Sequence, residues 1–193
     1  YARGVEVTAP VAAHRPLVRE AAEESFVLLQ NNDVAGTPML PFSDKVKRVA
    51  LIGPLADSTG AMVAGRVDGT AAGVVTVRQA LEERAKRDGG SVTYAQGTTV
   101  DGDSDAGFAA AVATARNSDV AVLALGESGD MSGEAGSRAY LDLPGNQKQL
   151  LQAVAATGKP VVLLIFSGRP LVLDWAAKNV AAIMEVWFPG VEA

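Results

Sequence analysis

Cysteine is absent from the 193 residues of this chain, and histidine occurs only once, as His14. Without a thiol, the chain has no disulfide, no thiolate metal site and no cysteine nucleophile. His14 stands in a segment without a second metal ligand nearby, so neither a histidine metal centre nor histidine catalysis is expected. We therefore expect the protein to use no metal ion and no cofactor.

Positive charge and long apolar runs are also scarce. The chain has 17 Lys and Arg against 22 Asp and Glu, a net charge of −5, and its basic residues form no stripe. Because phosphate binding needs clustered basic residues, nucleic acid is not expected as a partner. No apolar run reaches the roughly 18 residues that cross a bilayer, so a membrane is not expected either.

The first 15 residues show no regular period, and the chain opens on YARGVEVTAP without an initiator methionine. We interpret residues 1–15 as an extended linker, and residues 16–193 as the folded part of the chain. In PLVREAAEESFVLLQ, from Pro16 to Gln30, apolar residues share one helical face, which predicts the first helix of the domain.

Five segments with strand character alternate with helical segments in the rest of the chain. Most of the five are continuous apolar runs, which are typical of strands buried on both faces of a parallel sheet. Strand and helix alternation indicates βαβ units. The sequence therefore predicts an α/β fold, a doubly wound open sheet of about five mainly parallel strands with helices on both faces. The segments are RVALIGP, SVTYAQG, DVAVLALG, PVVLLIFSG and VAAIMEVWFPG.

The loop after DVAVLALG is the first candidate for a functional site. In open α/β sheets the ligand crevice lies beyond the carboxyl ends of the strands. This loop contains Glu127 and Glu134, and glycines 133 and 136 flank the second glutamate. A carboxyl group on a glycine-flexed loop can be aimed into a cleft, which suits a general acid/base. The alternative is that Glu134 is an ordinary solvated loop carboxylate.

Four stretches of the chain follow one another in a recognisable order: REAAEESFVLLQNN, VALIGPLADS, SGEAGSRAYLDLPGNQKQLLQAVAATGKPVVLLIFSGRPL and EVWFPGVEA. In this order they resemble the second domain of glycoside hydrolase family 3, the bacterial β-glucosidases in particular. The resemblance implies that residues 16–193 are an α/β sandwich that lacks its C-terminal end, and that residues 1–15 are the linker from a preceding (β/α) barrel on which the sandwich packs. It also implies retaining, exo-acting hydrolysis of terminal non-reducing β-D-glucosyl residues. The barrel would carry the Asp nucleophile, so we expect this chain to be inactive by itself.

The same resemblance implies roles for individual residues. The family's acid/base lies in a segment of the type Ser-Gly-Glu-Gly-Tyr-Asp-Arg, which corresponds to SGEAGSR here. Glu134 is therefore the expected acid/base, with Glu127 as the fallback; Glu127 could equally be a structural hydrogen-bonding group. Ser137 departs from the pattern, because relatives commonly have Asp there. The residues expected to contact the substrate are Met131, Ser132 and Arg138.

The implied partners are a β-glucoside or oligosaccharide and an N-terminal barrel domain of the same protein, and the implied location is periplasmic or secreted. Arg169 in SGRP is expected to hold the loop near Glu134, or the contact between the domains, through charged hydrogen bonds, with direct contact to the substrate as the alternative. Trp175 and Trp187 are expected to pack in the core, with stacking against sugar rings as the alternative. A hypothesis from another class of function is a non-catalytic α/β module that binds a ligand or partner at the same face.

Overall fold

The computed structural model describes residues 11–63 and 73–192, which form a six-stranded sheet, a two-stranded ribbon and six α-helices. The sheet contains β1 (Val27–Asn31), β4 (Arg48–Ile52), β5 (Ser91–Ala95), β6 (Val120–Gly126), β7 (Val161–Phe166) and β8 (Ala182–Glu185), and the ribbon contains β2 (Asp33–Val34) and β3 (Thr37–Pro38). The helices are α1 (Val11–Ser25), α2 (Thr59–Val63), α3 (Val77–Arg87), α4 (Phe108–Arg116), α5 (Gln147–Ala155) and α6 (Asp174–Asn179). Within the described ranges, none of these helices has both the length and the apolar character of a membrane span.

The sheet has the strand order β1-β8-β7-β6-β4-β5. Strands β4 to β8 run parallel, which confirms the α/β class and the five strands predicted from the sequence. From β4 the chain passes outward to β5, then returns across β4 to β6 and continues in the other direction. The strand order therefore reverses between β4 and β6. In open α/β sheets this reversal is where ligands bind, beyond the carboxyl ends of the strands.

The first helix differs from the prediction at both ends. It spans Val11–Ser25, so residues 11–15 of the predicted linker are helical and Pro16 lies inside the helix. The apolar segment assigned to its C-terminal part forms β1 instead, antiparallel to β8. The free edge of β8 offers unpaired backbone groups, and pairing with them outweighs the helical pattern of the leucines. Residues 1–10 of the linker, and residues 64–72 of a glycine-rich span, lie outside the described residues.

Two apolar cores cover the two faces of the sheet. On β4, Ala50 and Ile52 belong to the core beneath α4, α5 and α6, whereas Val49 and Leu51 belong to the core on the opposite face. Successive side chains of a strand point to opposite faces. A strand buried on both sides must therefore be apolar at every position, which is the pattern that predicted these strands.

A capping box starts α3 beside the exit of β4. Thr76 Oγ1 accepts a hydrogen bond from the backbone N–H of Gln79 at 3.2 Å, and Gln79 Oε1 accepts one from the N–H of Thr76 at 3.0 Å. This reciprocal pair satisfies two backbone donors that the helix itself leaves unpaired. Thr76 Oγ1 also donates to Asp57 Oδ1 at 3.0 Å, so the helix start is tied to the loop that follows β4.

Candidate functional site at the carboxyl edge of the sheet

At the exit of β6, the backbone passes very close to the backbone at the end of β7. Gly126 has a φ of 134°, and a Cβ at this position would lie 2.0 Å from the carbonyl oxygen of Phe166 at the end of β7. Only glycine permits this approach. The next amide, that of Glu127, donates to the same carbonyl at 2.7 Å. The chain is therefore still bound to β7 where the side chain of Glu127 begins.

Glu127 is fully buried, with 0% of its surface exposed. Its Oε1 accepts a hydrogen bond from Arg138 Nη1 at 2.7 Å. Its Oε2 accepts from Ser132 Oγ at 2.5 Å and from Arg169 Nε at 3.2 Å. We name Glu127, Ser132, Arg138 and Arg169 the Glu127 cluster. Ser132 and Arg138 follow β6 and Arg169 follows β7, so one carboxylate joins two strand exits.

The Glu127 carboxylate is kept ionised despite its burial. Burial alone would raise its pKa, but hydrogen bonds from Ser132 and Arg138 and the positive charge of Arg169 outweigh that effect and hold the pKa below 4.5. A buried carboxylate that accepts from three side chains is poorly suited to deliver a proton to a substrate. This environment favours a structural role for Glu127 over the fallback role of acid/base.

Arg169 extends the Glu127 cluster to the backbone of the loop after β6. Its Nη2 donates to the carbonyl oxygens of Met131 and Gly136, both at 2.5 Å. These two residues lie on either side of Glu134 in the sequence. The expectation that Arg169 holds the loop near Glu134 through charged hydrogen bonds is therefore confirmed.

Between these two carbonyls, residues 133–136 form a tight turn that we name the Glu134 turn. The N–H of Gly136 donates to the carbonyl of Gly133 at 3.1 Å, and Ala135 has a φ of 64°. Of the two central residues only the second has a positive φ, which is typical of a type II turn. Glu134 occupies the second position of the turn and is exposed. An accessible carboxyl group thus lies on a turn that is anchored on both sides.

A second buried carboxyl group, that of Glu185, lies at the end of β8 and is 6% exposed. Its Oε1 accepts hydrogen bonds from Ser167 Oγ at 3.2 Å and from the backbone N–H of Trp187 at 3.1 Å. Burial raises its pKa to about 7; the two hydrogen bonds oppose this effect, and the negative charge of Glu127 adds to it. Unlike Glu127, Glu185 has no arginine among its hydrogen-bond donors in the described residues, and it changes its charge near neutral pH.

The three predicted substrate contacts all lie on the loop that carries Glu134 and are half-buried. Ser132 and Arg138 bind Glu127, and the carbonyl of Met131 accepts from Arg169. Arg138 Nη2 also donates to the carbonyl of Asp142 at 3.0 Å. These residues thus hold the loop together, and their contact with substrate stays a prediction.

The two tryptophans differ in their surroundings. Trp175 packs, partly buried, against the core beneath α4, α5 and α6, which confirms the expectation for this residue. Trp187 is 39% exposed with a φ of 56°, and its Nε1 donates to the carbonyl of Ser25 at 3.0 Å. Val186 is still buried and bonded to β7, and the backbone changes direction at Trp187 itself, so the expectation of core packing is wrong for Trp187.

Two buried polar residues of this edge were not predicted from the sequence. Gln147, fully buried at the start of α5, accepts from the N–H of Gly126 at 2.8 Å and donates to the carbonyls of Gly126 at 2.8 Å and Val100 at 2.6 Å. Its signal in the sequence is a polar residue within the apolar stripe of α5. The signal of Glu185 is a single charge inside the apolar run VAAIMEVWF.

The fold and this edge together define a doubly wound α/β domain whose carboxyl edge holds an exposed carboxyl group on an anchored loop. In residues 11–63 and 73–192, no three His, Asp or Glu side chains are grouped so that they could hold a metal ion. Comparisons with known proteins agree with this class. The sequence profile described as "Glycosyl hydrolase family 3 C-terminal domain" matches residues 26–193.

Two relatives that are both named as glycosidases align with nearly the whole chain. A "Beta-xylosidase" from Formosa agariphila is 36% identical over 186 residues, and a "Periplasmic beta-glucosidase" from Salmonella typhimurium is 35% identical over 209 residues. The alignments cover 93% and 97% of this chain, but only 25% and 26% of the two relatives. The chain therefore spans about a quarter of the length of the relatives it matches.

Solved structures of glycosidases also superimpose on nearly the whole chain. The β-glucosidase from Listeria innocua in complex with isofagomine superimposes with a TM-score of 0.86 and 36% sequence identity, over 99% of this chain and 26% of that chain. An exo-β-xylosidase in complex with a xylobiose aziridine probe superimposes with a TM-score of 0.82 and 29% identity. The chain belongs to glycosyl hydrolase family 3, in which it corresponds to the C-terminal domain.

Proposed function

We propose that this chain supplies the general acid/base of a retaining, exo-acting β-glucosidase, and that Glu134 is that residue. Glu134 protonates the glycosidic oxygen in the first step and removes a proton from water in the second. An N-terminal barrel domain of the same protein contributes an Asp nucleophile from the other side of a shared cleft. The two carboxyl groups then lie about 5 to 5.5 Å apart, as a retaining reaction requires.

The observation that carries this proposal is the construction of the Glu134 turn. An acid/base must be accessible to the substrate and held in a defined position. Glu134 is exposed, and one guanidinium binds the backbone on both sides of it. Glu127, on the same loop, is buried and paired with two arginines. Glu134 therefore meets both requirements, whereas Glu127 does not.

The relatives support a β-linked glucose or xylose unit as the substrate. Both a β-xylosidase and a β-glucosidase share 35–36% identity with this chain, and the Listeria structure is a β-glucosidase. We propose a terminal β-D-glucoside as the preferred substrate, with the β-D-xyloside as the direct competitor in an assay. The name of the Salmonella relative supports a periplasmic location. Because the nucleophile is assigned to another domain, the isolated chain is expected to be inactive.

The test uses the full-length protein that contains this chain, with the substitution Glu134→Ala. On an alkyl β-glucoside, whose leaving group needs a proton, kcat/KM should fall by about 100- to 10,000-fold. On an activated aryl β-glucoside the first step needs little protonation, so the variant should stall as a glycosyl-enzyme. Azide needs no general base, so it should restore turnover and give a β-glycosyl azide.

Asp130→Ala is the matched control, because Asp130 is another exposed carboxylate of the same loop. It should keep the activity of the parent on both substrates and show no response to azide. Near-normal activity of Glu134→Ala on the alkyl glucoside would show that another residue is the acid/base.

A further inference from the structure

One side chain binds the loop that carries Glu134 at three points. Arg169 donates to Glu127 Oε2 at 3.2 Å through Nε, and to the carbonyls of Met131 and Gly136 at 2.5 Å through Nη2. Two of these acceptors are backbone groups that enclose Glu134 in the sequence. The backbone on both sides of the Glu134 turn is therefore bound by a single guanidinium.

The guanidinium of Arg169 is itself held by a rigid support. Its side chain is 19% exposed, and its carboxylate partner, Glu127, is 0% exposed and begins at the β6 exit. Glu127 also pairs with Arg138 at 2.7 Å, at the far end of the same loop. A guanidinium is planar, so its hydrogen bonds fix direction as well as distance, which a flexible lysine ammonium does not do.

We infer that Arg169 is a positioning residue for the acid/base: it binds both sides of the Glu134 turn from the buried Glu127 carboxylate, and so sets where the Glu134 carboxyl group meets the glycosidic oxygen. The inference rests on the proposed function of Glu134. Arg169 exchanges no proton with the substrate. Its contribution is the placement of a group that must lie within hydrogen-bond distance of the leaving oxygen.

A positioning role differs from a merely structural one in how the rate depends on the leaving group. Loss of folded protein lowers kcat/KM equally for all substrates. A displaced acid/base lowers it mainly for leaving groups that need a proton. The ratio of kcat/KM on an alkyl β-glucoside to that on an activated aryl β-glucoside does not depend on the fraction of active enzyme.

The experiment measures this ratio for Arg169→Lys in the full-length protein. Lysine keeps the positive charge but cannot reproduce the planar set of three contacts. Since a displacement of about 1 Å can cost about 100-fold in rate, the ratio should fall by about 10- to 100-fold. Arg48→Lys is the matched control, because Arg48 binds Asp119 through Nε and Nη2 at the opposite end of the sheet. Its ratio should equal that of the parent.

A second substitution, Gly136→Ala, alters the same turn without changing a charge. Gly136 has no positive φ, but a Cβ there would lie 2.9 Å from the Met131 carbonyl oxygen that Arg169 binds. Gly136→Ala should therefore displace the turn and lower the ratio in the same direction. In the Glu134→Ala background neither substitution should lower the ratio further, because the group they position is gone.

Three outcomes are distinct. A lower ratio for both variants that disappears in the Glu134→Ala background supports the inference. If Glu134→Ala lowers the ratio while Arg169→Lys and Gly136→Ala leave it unchanged, the inference is wrong and the proposed function stands. If Glu134→Ala itself leaves the ratio unchanged, the proposed function is wrong and the inference is lost with it.

Discussion

Both ends of the sheet hold a carboxylate paired with arginine, and the two arrangements differ in burial. At the amino end, Asp119 accepts from Arg48 Nη2 at 2.7 Å and from the backbone amides of Lys47 and Arg48 at 3.0 and 2.8 Å. The side chains of Asp119 and Arg48 are 27% and 59% exposed. At the carboxyl end, Glu127 is 0% exposed, and its pairing with Arg138 and Arg169 takes place inside the protein.

This difference in burial gives the two carboxylate–arginine pairs different effects on stability. An exposed ion pair gains little because water solvates both charges well when they are apart. A buried pair has already lost its water, so removing one partner leaves an uncompensated charge and is strongly destabilising. The amino-end pair therefore helps to fix the start of β4, and loss of one of its partners costs little stability. The carboxyl-end pair holds a loop in one arrangement, which is what the acid/base role proposed for Glu134 requires.

The largest expected effect is that of Glu127→Ala. This substitution leaves the partly buried guanidinium groups of Arg138 and Arg169 without their carboxylate, so the free energy of unfolding should fall by about 3–5 kcal/mol. Urea unfolding of the purified protein measures the loss. Asp130→Ala, at an exposed carboxylate of the same loop, should leave the unfolding midpoint unchanged. A loss for Glu127→Ala as small as that for an exposed carboxylate would contradict the role assigned to burial.

The next effect is a pH dependence that comes from Glu185. Its pKa in the folded protein is raised from 4.5 to about 7, chiefly by burial. The folded state thus favours the protonated form. The contribution to stability is fully present below about pH 4.5 and is lost as the pH rises through 7.

Glu185→Gln removes this titration. The variant should match the parent near pH 4.5 and exceed its unfolding free energy by an amount of the order of 3 kcal/mol above pH 8. Urea unfolding at pH 4.5 and pH 8 provides the comparison. If the variant is less stable than the parent at pH 8, then the Glu185 carboxyl group is charged and stabilising in the fold, and the assigned direction is wrong.

The smallest effect is expected at the exposed amino-end pair, for Asp119→Asn. The asparagine oxygen can take the place of Oδ2, which accepts from both backbone amides, and only the Oδ1 acceptor of the Arg48 side chain is lost. The loss should therefore be about 1 kcal/mol near neutral pH. Hydrogen bonds from the Arg48 side chain and from the backbone amides of Arg48 and Lys47 lower the pKa of Asp119 to about 2. Its contribution is present above the ordinary value of 3.8 and is lost as the pH falls through 2. Urea unfolding should therefore show the parent and the variant converging near pH 2.

The parallel part of the sheet was predictable because its signals are local. Each strand from β4 to β8 is a short segment with its own composition, and the glycine at the end of β6 marks the start of the candidate loop. The first helix was predicted less well. Leu28 and its neighbours fit a helical stripe, but they form β1 because a strand more than 150 residues later offers them a free edge.

The surroundings of the two glutamates on the loop show the same limit. In the sequence, Glu127 and Glu134 are two carboxylates of one loop, and only the flanking glycines and the resemblance to a family ranked them. The burial of Glu127 depends in part on a contact with Arg169, which lies 42 residues later in the chain. The sequence marks Glu185 and Gln147 only as polar residues at apolar positions, and it does not identify their hydrogen-bond partners.

The sequence by itself determined the α/β class, the five parallel strands and the loop on which the candidate acid/base lies, since periodicity and composition act over a few neighbouring residues. Tertiary structure decided the antiparallel edge strand, the burial and charge of Glu127, the pKa of Glu185 and the anchoring of the Glu134 turn. These properties depend on which distant groups meet and how much water they exclude, because desolvation and hydrogen bonding set the charge state of a buried carboxyl group.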